Sequence, residues 1–223
     1  RQLMGWASCS HSGTGHAALP DPRAVDKSVP EYKNPFHPST YAHFVARKDY
    51  RKTYDVYKDD TLLNRQPKKS RKIFVCLDEQ RGQYLVDGLV AMDFPLSSGV
   101  KAYPTKTGDY AVISKKEDHT SNLYGKMYDA EGKCINYNAE STDPVPEGGR
   151  FDGSPMPYWQ RLTNAGLGLH VGKVRRHPVS HGCVRLPRNV AEILYRQTSI
   201  GTPVTIRKTP LPVPEAQKVP AVQ

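Results

Sequence analysis

The chain has 223 residues, enough for one domain with a substantial core plus extensions. Thirty-two Lys and Arg against 22 Asp and Glu give a formal net charge of +10, which favours an acidic partner such as nucleic acid, anionic lipid or an anionic cell-wall polymer without choosing among them. No stretch approaches the ~18 apolar residues of a membrane-spanning helix, and four cysteines are too few for a disulfide framework.

Residues 1–40 follow neither hydrophobic period and are rich in Pro, Ser, Gly and His, so an irregular N-terminal segment is expected, with His11 and His16 as loop residues. No secretory leader stands at the start, and any export signal is expected to have been removed. Trp6-Ala7-Ser8-Cys9 is a poor lipoprotein cleavage box, because Trp6 stands where a small aliphatic residue belongs. Residues 41–69 form a basic lead-in expected to pack on the domain; between Tyr41 and Lys72 there are ten Lys/Arg and four Asp/Glu. Within it, Tyr54-Asp55-Val56-Tyr57, Asp59-Asp60 and Leu62-Leu63 suggest a strand, a turn and a second strand. Lys68-Lys69-Ser70-Arg71-Lys72 has the charge of a nucleic-acid patch but no interleaved aromatics, which favours a solvated strand edge.

The core is expected over residues 70–208. Ile73-Phe74-Val75-Cys76-Leu77 is an apolar run of the kind buried in a sheet. Gln83 to Val86 and Leu89 to Met92 flank Asp87-Gly88, a strong hairpin signal because both turn positions need positive φ. Ala111-Val112-Ile113-Ser114 reads as a further strand, and the polar residues 115–150 as an insertion or flap across one face. Tyr158 and Trp159 place aromatics shortly before the histidine- and cysteine-bearing run at 169–187, either as ordinary packing or as a wall beside a peptide. Thr163 to Val171 should be a strand that ends by delivering His170.

The densest chemistry lies between Leu169 and Pro187, where three histidines, a cysteine and arginines sit among glycine and proline. Cys183 offers a soft nucleophile whose reactive form is the thiolate, so a base or a positive field must activate it. His170, thirteen positions upstream, is far enough for a loop to fold its imidazole back onto the sulfur. Gly182 permits a sharp turn, and the N–H groups of His181, Gly182 and Cys183 can then face a developing oxyanion. Arg185 presents a planar fork suited to a carboxylate. The structural alternatives are a buried cysteine acting as a small hydrophobe, or zinc bound by His170, His181 and Cys183; the assembled set favours nucleophilic catalysis without a metal.

After Cys183 the period changes: Val190, Ile193 and Leu194 recur at helical spacing, with Asn189 and Glu192 as a candidate capping box and Gly201 as the stop. Pro203 to Ile206 returns as a strand, and residues 209–223, with four prolines, read as an extended C-terminal tail. The fold class expected is mainly β with one short helix after the cysteine.

Ser180-His181-Gly182-Cys183-Val184-Arg185, preceded at a distance by His170, resembles the Ser/Thr-His-Gly-Cys-x-Arg/Asn signature of L,D-transpeptidases of the YkuD type. Nine residues separate His170 from Ser180, as in a shorter-loop envelope subgroup, which keeps His177 in play as a rival histidine. The resemblance implies a β-sandwich or barrel over roughly residues 70–208, with Ser97-Ser98-Gly99 and Thr105-Lys106-Thr107-Gly108 lining one side of the site. It implies acyl transfer through a thioester on Cys183, with His170 as base, its tautomer fixed by the Val171 carbonyl. Gly182 and Cys183 supply the oxyanion donors, and His181 braces the loop or assists protonation. Ser180 orients the turn, and Ser180, Arg185, Tyr158 and Trp159 are the residues placed against substrate.

The substrate implied is the tetrapeptide stem of peptidoglycan, passed to an amine on a second stem, an envelope protein lysine, a D-amino acid or water, with no metal or organic cofactor. The resemblance also implies a periplasmic or other bacterial envelope location, a monomer that binds no nucleic acid, and acylation of Cys183 by carbapenems. A carboxypeptidase or wall-protein-releasing hydrolase on the same scaffold, a sortase-like transpeptidase and a non-catalytic wall-binding module are the alternatives. Cys76 and Cys134 are free to pair in an oxidising compartment, with nothing requiring it.

Overall fold

The computed structural model describes residues 18–67 and 70–221; His11, His16, Cys9 and the lysine pair at 68–69 lie outside them. Tyr41–Ala46 form a short helix, α1, started by the Thr40 side chain accepting from the His43 N–H. After β1 (Tyr57–Lys58), the segment Asp60–Asn64 is a second helix, α2, rather than the expected strand. The reason is local: the Asp59 carboxylate accepts the Leu62 N–H, an N-cap that turns Leu62 and Leu63 onto one buried face.

Strands β2 (Arg71–Cys76), β3 (Arg81–Val86) and β4 (Leu89–Pro95) form an antiparallel meander. Asp87 and Gly88 both take positive φ, 50° and 81°, as the hairpin signal requires. Strand β5 (Gly108–Ala111) is followed by β6 (Ser114–Lys116). The single strand expected here is split because Val112 bonds to Thr202 while Ile113 bonds to Arg161, so the chain changes sheets between them. Residues 115–150 contribute most of a separate antiparallel sheet of β7 (Thr120–Tyr128), β8 (Cys134–Glu140) and β9 (Arg150–Pro155), ordered β8-β7-β9. The expected insertion is therefore a folded flap.

Strands β10 (Trp159–Arg161), β11 (Gly168–Val171) and β12 (Val184–Leu186) precede α3 (Arg188–Gln197) and β13 (Pro203–Arg207). The larger sheet runs β1-β4-β3-β2-β13-β5 and the second runs β12-β11-β10-β6. Both donate to one core, in which Ile73, Tyr84 and Ile206 from the first meet Leu169, Val184 and Leu186 from the second. Strand β2 is interior, paired to β3 and β13, so the basic run does not mark a sheet edge. The expected capping box is absent: Pro187 is the N-cap, Asn189 lies exposed in the first turn, and Glu192 pairs with Arg196. Helix α3 ends at Thr198, whose hydroxyl donates to the Leu194 carbonyl; Gly201 belongs to the turn beyond.

Both extensions are docked. Phe36, Tyr41, Phe44 and Tyr50 pack with Val90 and Val213 in a second small core. The tail bridges back through Phe36 and Pro220, and the Gln217 amide pairs with both the N–H and the C=O of Val90, at 2.8 and 2.9 Å. Beneath the lead-in, the fully buried Asp93 carboxylate pairs with Arg81 and accepts from Tyr41 at 2.7 Å, Tyr50 at 2.9 Å and Gln83 at 3.0 Å. Removing one partner of such a pair strands the other charge in a dry interior. Asp93→Ala should therefore cost about 3–5 kcal/mol of unfolding free energy in a urea titration, whereas Arg81→Met with Asp93→Leu should cost less. Equal losses would mean that the pair itself, not the stranded charge, carries the effect.

Candidate active site

The site is assembled by a parallel pair. Strands β11 and β12 run side by side with Leu169 opposite Val184 and His170 opposite Arg185. Leu169 and Val184 are fully buried on the core face, so alternation turns Gly168, His170, Cys183 and Arg185 to the other face. Imidazole and thiol thus become diagonal neighbours lining one cleft of about 760 Å³. The flap closes one side of it with Leu123, Tyr124 and Tyr137.

His170 is 6% exposed. Its Nδ1–H donates to the Val171 carbonyl at 2.7 Å, which fixes the tautomer and leaves only Nε2 able to take a proton. Burial pushes its pKa down to about 4, with Arg185 and His119 adding to the fall and the Val171 carbonyl opposing it. Burial also raises the Cys183 thiol above its ordinary range, while the Gly168 N–H and the Arg185 charge pull it back. The thiol donates to the Gly166 carbonyl at 3.3 Å. The resting pair is therefore a neutral thiol beside a neutral imidazole, not a thiolate–imidazolium pair.

The turn before the nucleophile is tied from several sides. The Ser180 hydroxyl donates to the Cys183 carbonyl at 2.6 Å and accepts the Gly182 N–H at 3.1 Å. The Thr105 hydroxyl donates to the Gly182 carbonyl at 2.6 Å and accepts the Gly99 N–H at 2.8 Å. Gly182 takes φ +110°, and a Cβ on Gly99 would stand 2.8 Å from the Gly182 Cα, so both positions need glycine. Arg176 anchors the same loop to the lead-in through the carbonyls of Tyr50 and Thr53, and to the β2–β3 turn through that of Glu79.

These contacts revise several expectations. The Gly182 N–H is already committed to Ser180 and is not a free oxyanion donor; among the described residues the amides of His181 and Cys183 have no acceptor. Ser180 also lines the cleft, but it is buried and its hydroxyl is occupied in holding the turn. Tyr158 leaves the cleft: at φ +56° its ring packs edge-on against Tyr195 at 5.6 Å, while Trp159, next in the chain, faces in. Trp159 lies beside His170, 6.0 Å between ring centroids, and stacks on His119. His177 is exposed and outside the cleft lining, which leaves His170 as the histidine beside the thiol.

His181 is exposed but stacks on Tyr124 of the flap at 4.5 Å, with Tyr103 at 4.8 Å, so it braces the loop against the flap. Arg185 lines the cleft half-buried, and among the described residues no carboxylate pairs with it. Cys76 and Cys134 are both free: Cys76 is buried in β2 and Cys134 opens β8 in the flap. Among the described residues no three His, Cys, Asp or Glu side chains are grouped to hold a metal ion. Sequence reasoning did not single out His119, Tyr124 or Arg161. They lie on β10 or at the base of the flap, far in sequence from Cys183, and an aromatic in an otherwise polar run was the one signal for Tyr124.

The model of the L,D-transpeptidase catalytic domain family, YkuD, matches residues 70–206. A probable L,D-transpeptidase 3 of Mycobacterium tuberculosis is 31% identical over 121 residues, 51% of this chain and 38% of that protein. Among solved structures, an L,D-transpeptidase from Mycobacterium smegmatis is 21% identical with a TM-score of 0.48, covering 62% of this chain and 58% of that one. One from Stackebrandtia nassauensis is 22% identical with a TM-score of 0.46, covering 74% and 65%. The chain spans about two fifths of the length of the curated relative.

The resting protonation state has a measurable signature. Alkylation of Cys183 by iodoacetamide should be slower at pH 7 than that of free cysteine, and should still climb where free cysteine levels off; a plateau already at pH 7 would indicate a preformed thiolate. The His170 shift has a second consequence. Between its unfolded pKa near ~6.5 and about 4 the unfolded chain binds a proton that the folded one refuses, so stability is full above that window and falls with acid through it. His170→Gln should flatten that part of the unfolding free energy against pH.

Proposed function

This chain belongs to the L,D-transpeptidase catalytic domain family, and from that premise we propose that it transfers the acyl group of a peptidoglycan tetrapeptide stem to an amine through a thioester on Cys183. The observation that carries the reading is the shared face of β11 and β12, where a buried base of fixed tautomer and a thiol line one cleft. Approach of a stem carbonyl lets Sγ attack as the thiol proton moves to His170 Nε2; a positioned base of this kind is worth about 10²–10⁴ in rate. The negative charge that develops on the carbonyl oxygen is met by the Cys183 and His181 amides. The C–N bond to the terminal D-Ala then breaks, His170 returns the proton to the leaving amine, and the acyl group stays on sulfur. An amine on a second stem attacks the thioester and gives a 3→3 crosslink.

Starting from neutral groups suits this sequence, since proton transfer and attack are coupled to the arrival of the carbonyl and no exposed thiolate waits to be oxidised. Arg185 grips a carboxylate of the donor: its guanidinium lines the cleft opposite His170, and among the described residues it has no carboxylate counter-ion. The catalytic unit is taken as residues 70–208, with 41–69 and the tail as docked extensions. The place of action is the bacterial cell envelope, most simply the periplasm, and the working form a monomer. Among the described residues no helix is long and apolar enough to cross a membrane.

With disaccharide-tetrapeptide muropeptides, the intact protein should gain the mass of the disaccharide-tripeptide acyl group, and crosslinked dimers should follow. Cys183→Ala should give neither while keeping the wild-type circular dichroism spectrum. Release of tripeptide alone, without dimers, would move the assignment to a hydrolase. Arg185→Ala should raise the donor concentration needed for half-maximal acylation about tenfold or more with little effect on iodoacetamide alkylation; an equal fall in both would make Arg185 an activator of the sulfur instead of a substrate contact.

A further inference from the structure

Resting on the transferase reading, we propose that the end of the cleft beyond Trp159 is an acceptor subsite, in which Arg161 and Lys116 bind a carboxylate carried beside the attacking amine. The second sheet, β6-β10-β11-β12, forms the floor. In its register Lys116 stands opposite Trp159, and Arg161 stands opposite both Ser114 and Gly168. Gln160, Leu169 and Val184 are fully buried on the core side, so Lys116, Trp159 and Arg161 share the outer face with His170 and Cys183. Arg161 therefore lies two strand spacings from the nucleophile, about 10 Å across the sheet, with Gly168 between them. On that side of Trp159 is a second cavity of about 580 Å³, lined by Lys116 and Asn164 and sharing His119, Trp159 and Arg161 with the main cleft.

The charges there point to an anion. Burial, and after it the charges of Lys116 and Arg161, hold the proton affinity of His119 down, and all three residues line the second cavity. Among the described residues neither is in an ion pair. Neighbouring Lys115 differs, donating to the Tyr195 and Thr198 carbonyls at the end of α3. The nucleophile is thus flanked by two anion sites: Arg185, on the edge strand β12, and the Arg161–Lys116 pair across the floor. A ping-pong transferase must seat a second substrate while the first is covalently held, and two separate anion sites match two carboxylated partners. In the second step the acceptor nitrogen bonds to the thioester carbonyl carbon and the C–S bond breaks with its electron pair on sulfur. The amine proton passes to His170 and from there to the thiolate. The carboxylate on Arg161 and Lys116 holds the amine in line and undergoes no chemistry.

The test is a competition. The tetrapeptide donor is supplied with D-methionine or D-methioninamide at equal concentrations of free amine, and the two transfer products are quantified. The wild type should favour the free carboxylate about tenfold, the scale of one charge-assisted hydrogen-bonded contact. In Arg161→Gln/Lys116→Gln the ratio should approach one, and in Lys116→Gln, at an exposed position, it should fall part of the way. Because the ratio is internal to each variant, a general loss of activity does not move it. No preference in the wild type, or an unchanged ratio in both variants, overturns the acceptor assignment, as does slower acylation by donor with an unmoved ratio. Absence of any acyl-enzyme in the wild type by intact mass overturns the transferase reading itself, a result separable from the other three.

Discussion

Four short backbone segments laid side by side, with β11 parallel to β12 at their edge, are the constraint on which the rest of this site depends. A parallel pair cannot be closed by a tight turn, so the chain between Val171 and Val184 must travel, and that excursion is the Arg175–Cys183 loop. Because the side-chain period of a strand is two, one register fixes which residues face the cleft. A slip of one residue would bury Cys183 and His170 in the core and expose Leu169 and Val184. Register is thus held by the same apolar contacts that stabilise the sandwich, and chemistry and stability are set by one alignment.

A long loop carrying a nucleophile needs more than its two ends. It is fastened to the 97–105 segment through Ser98, Val100 and Thr105, to itself through Ser180, and to the lead-in through Arg176. The last contact gives the lead-in a part in the site. Residues 50–55 lie between Arg81 and Arg176, whose guanidiniums both donate to the Thr53 carbonyl. The buried Asp93 network beneath them fixes the same segment. The positive charge of the chain has corresponding local uses, since one arginine holds a core carboxylate, one holds loop carbonyls, and Arg185 and Arg161 line the cleft without an ion-pair partner among the described residues.

The electrostatics of the cleft come from burial. Burial favours the uncharged form of each group, so it lowers the imidazole and raises the thiol. Both shifts oppose a resting ion pair. The flap contributes by stacking Tyr124 on His181, so the wall that shields the cleft also rests on the loop that carries the thiol.

What the sequence determined by itself was local or motif-borne. The Asp87-Gly88 hairpin, the apolar strands around it and the amphipathic helix after Cys183 each reside in a short run with its own physical signature. The errors were of one kind, because they turned on partners distant in the chain or on a competing local bond. Leu62-Leu63 became helix because Asp59 caps it, and the expected strand at 111–114 split because Val112 and Ile113 bond to different sheets. The Gly182 amide is taken up by the hydroxyl of a serine two residues away, and Tyr158 turned from the cleft at a positive φ. Only the tertiary structure decided that Arg161 and Lys116 stand across the floor from Cys183, since cross-strand register joins residues far apart in sequence and no one-dimensional pattern records it.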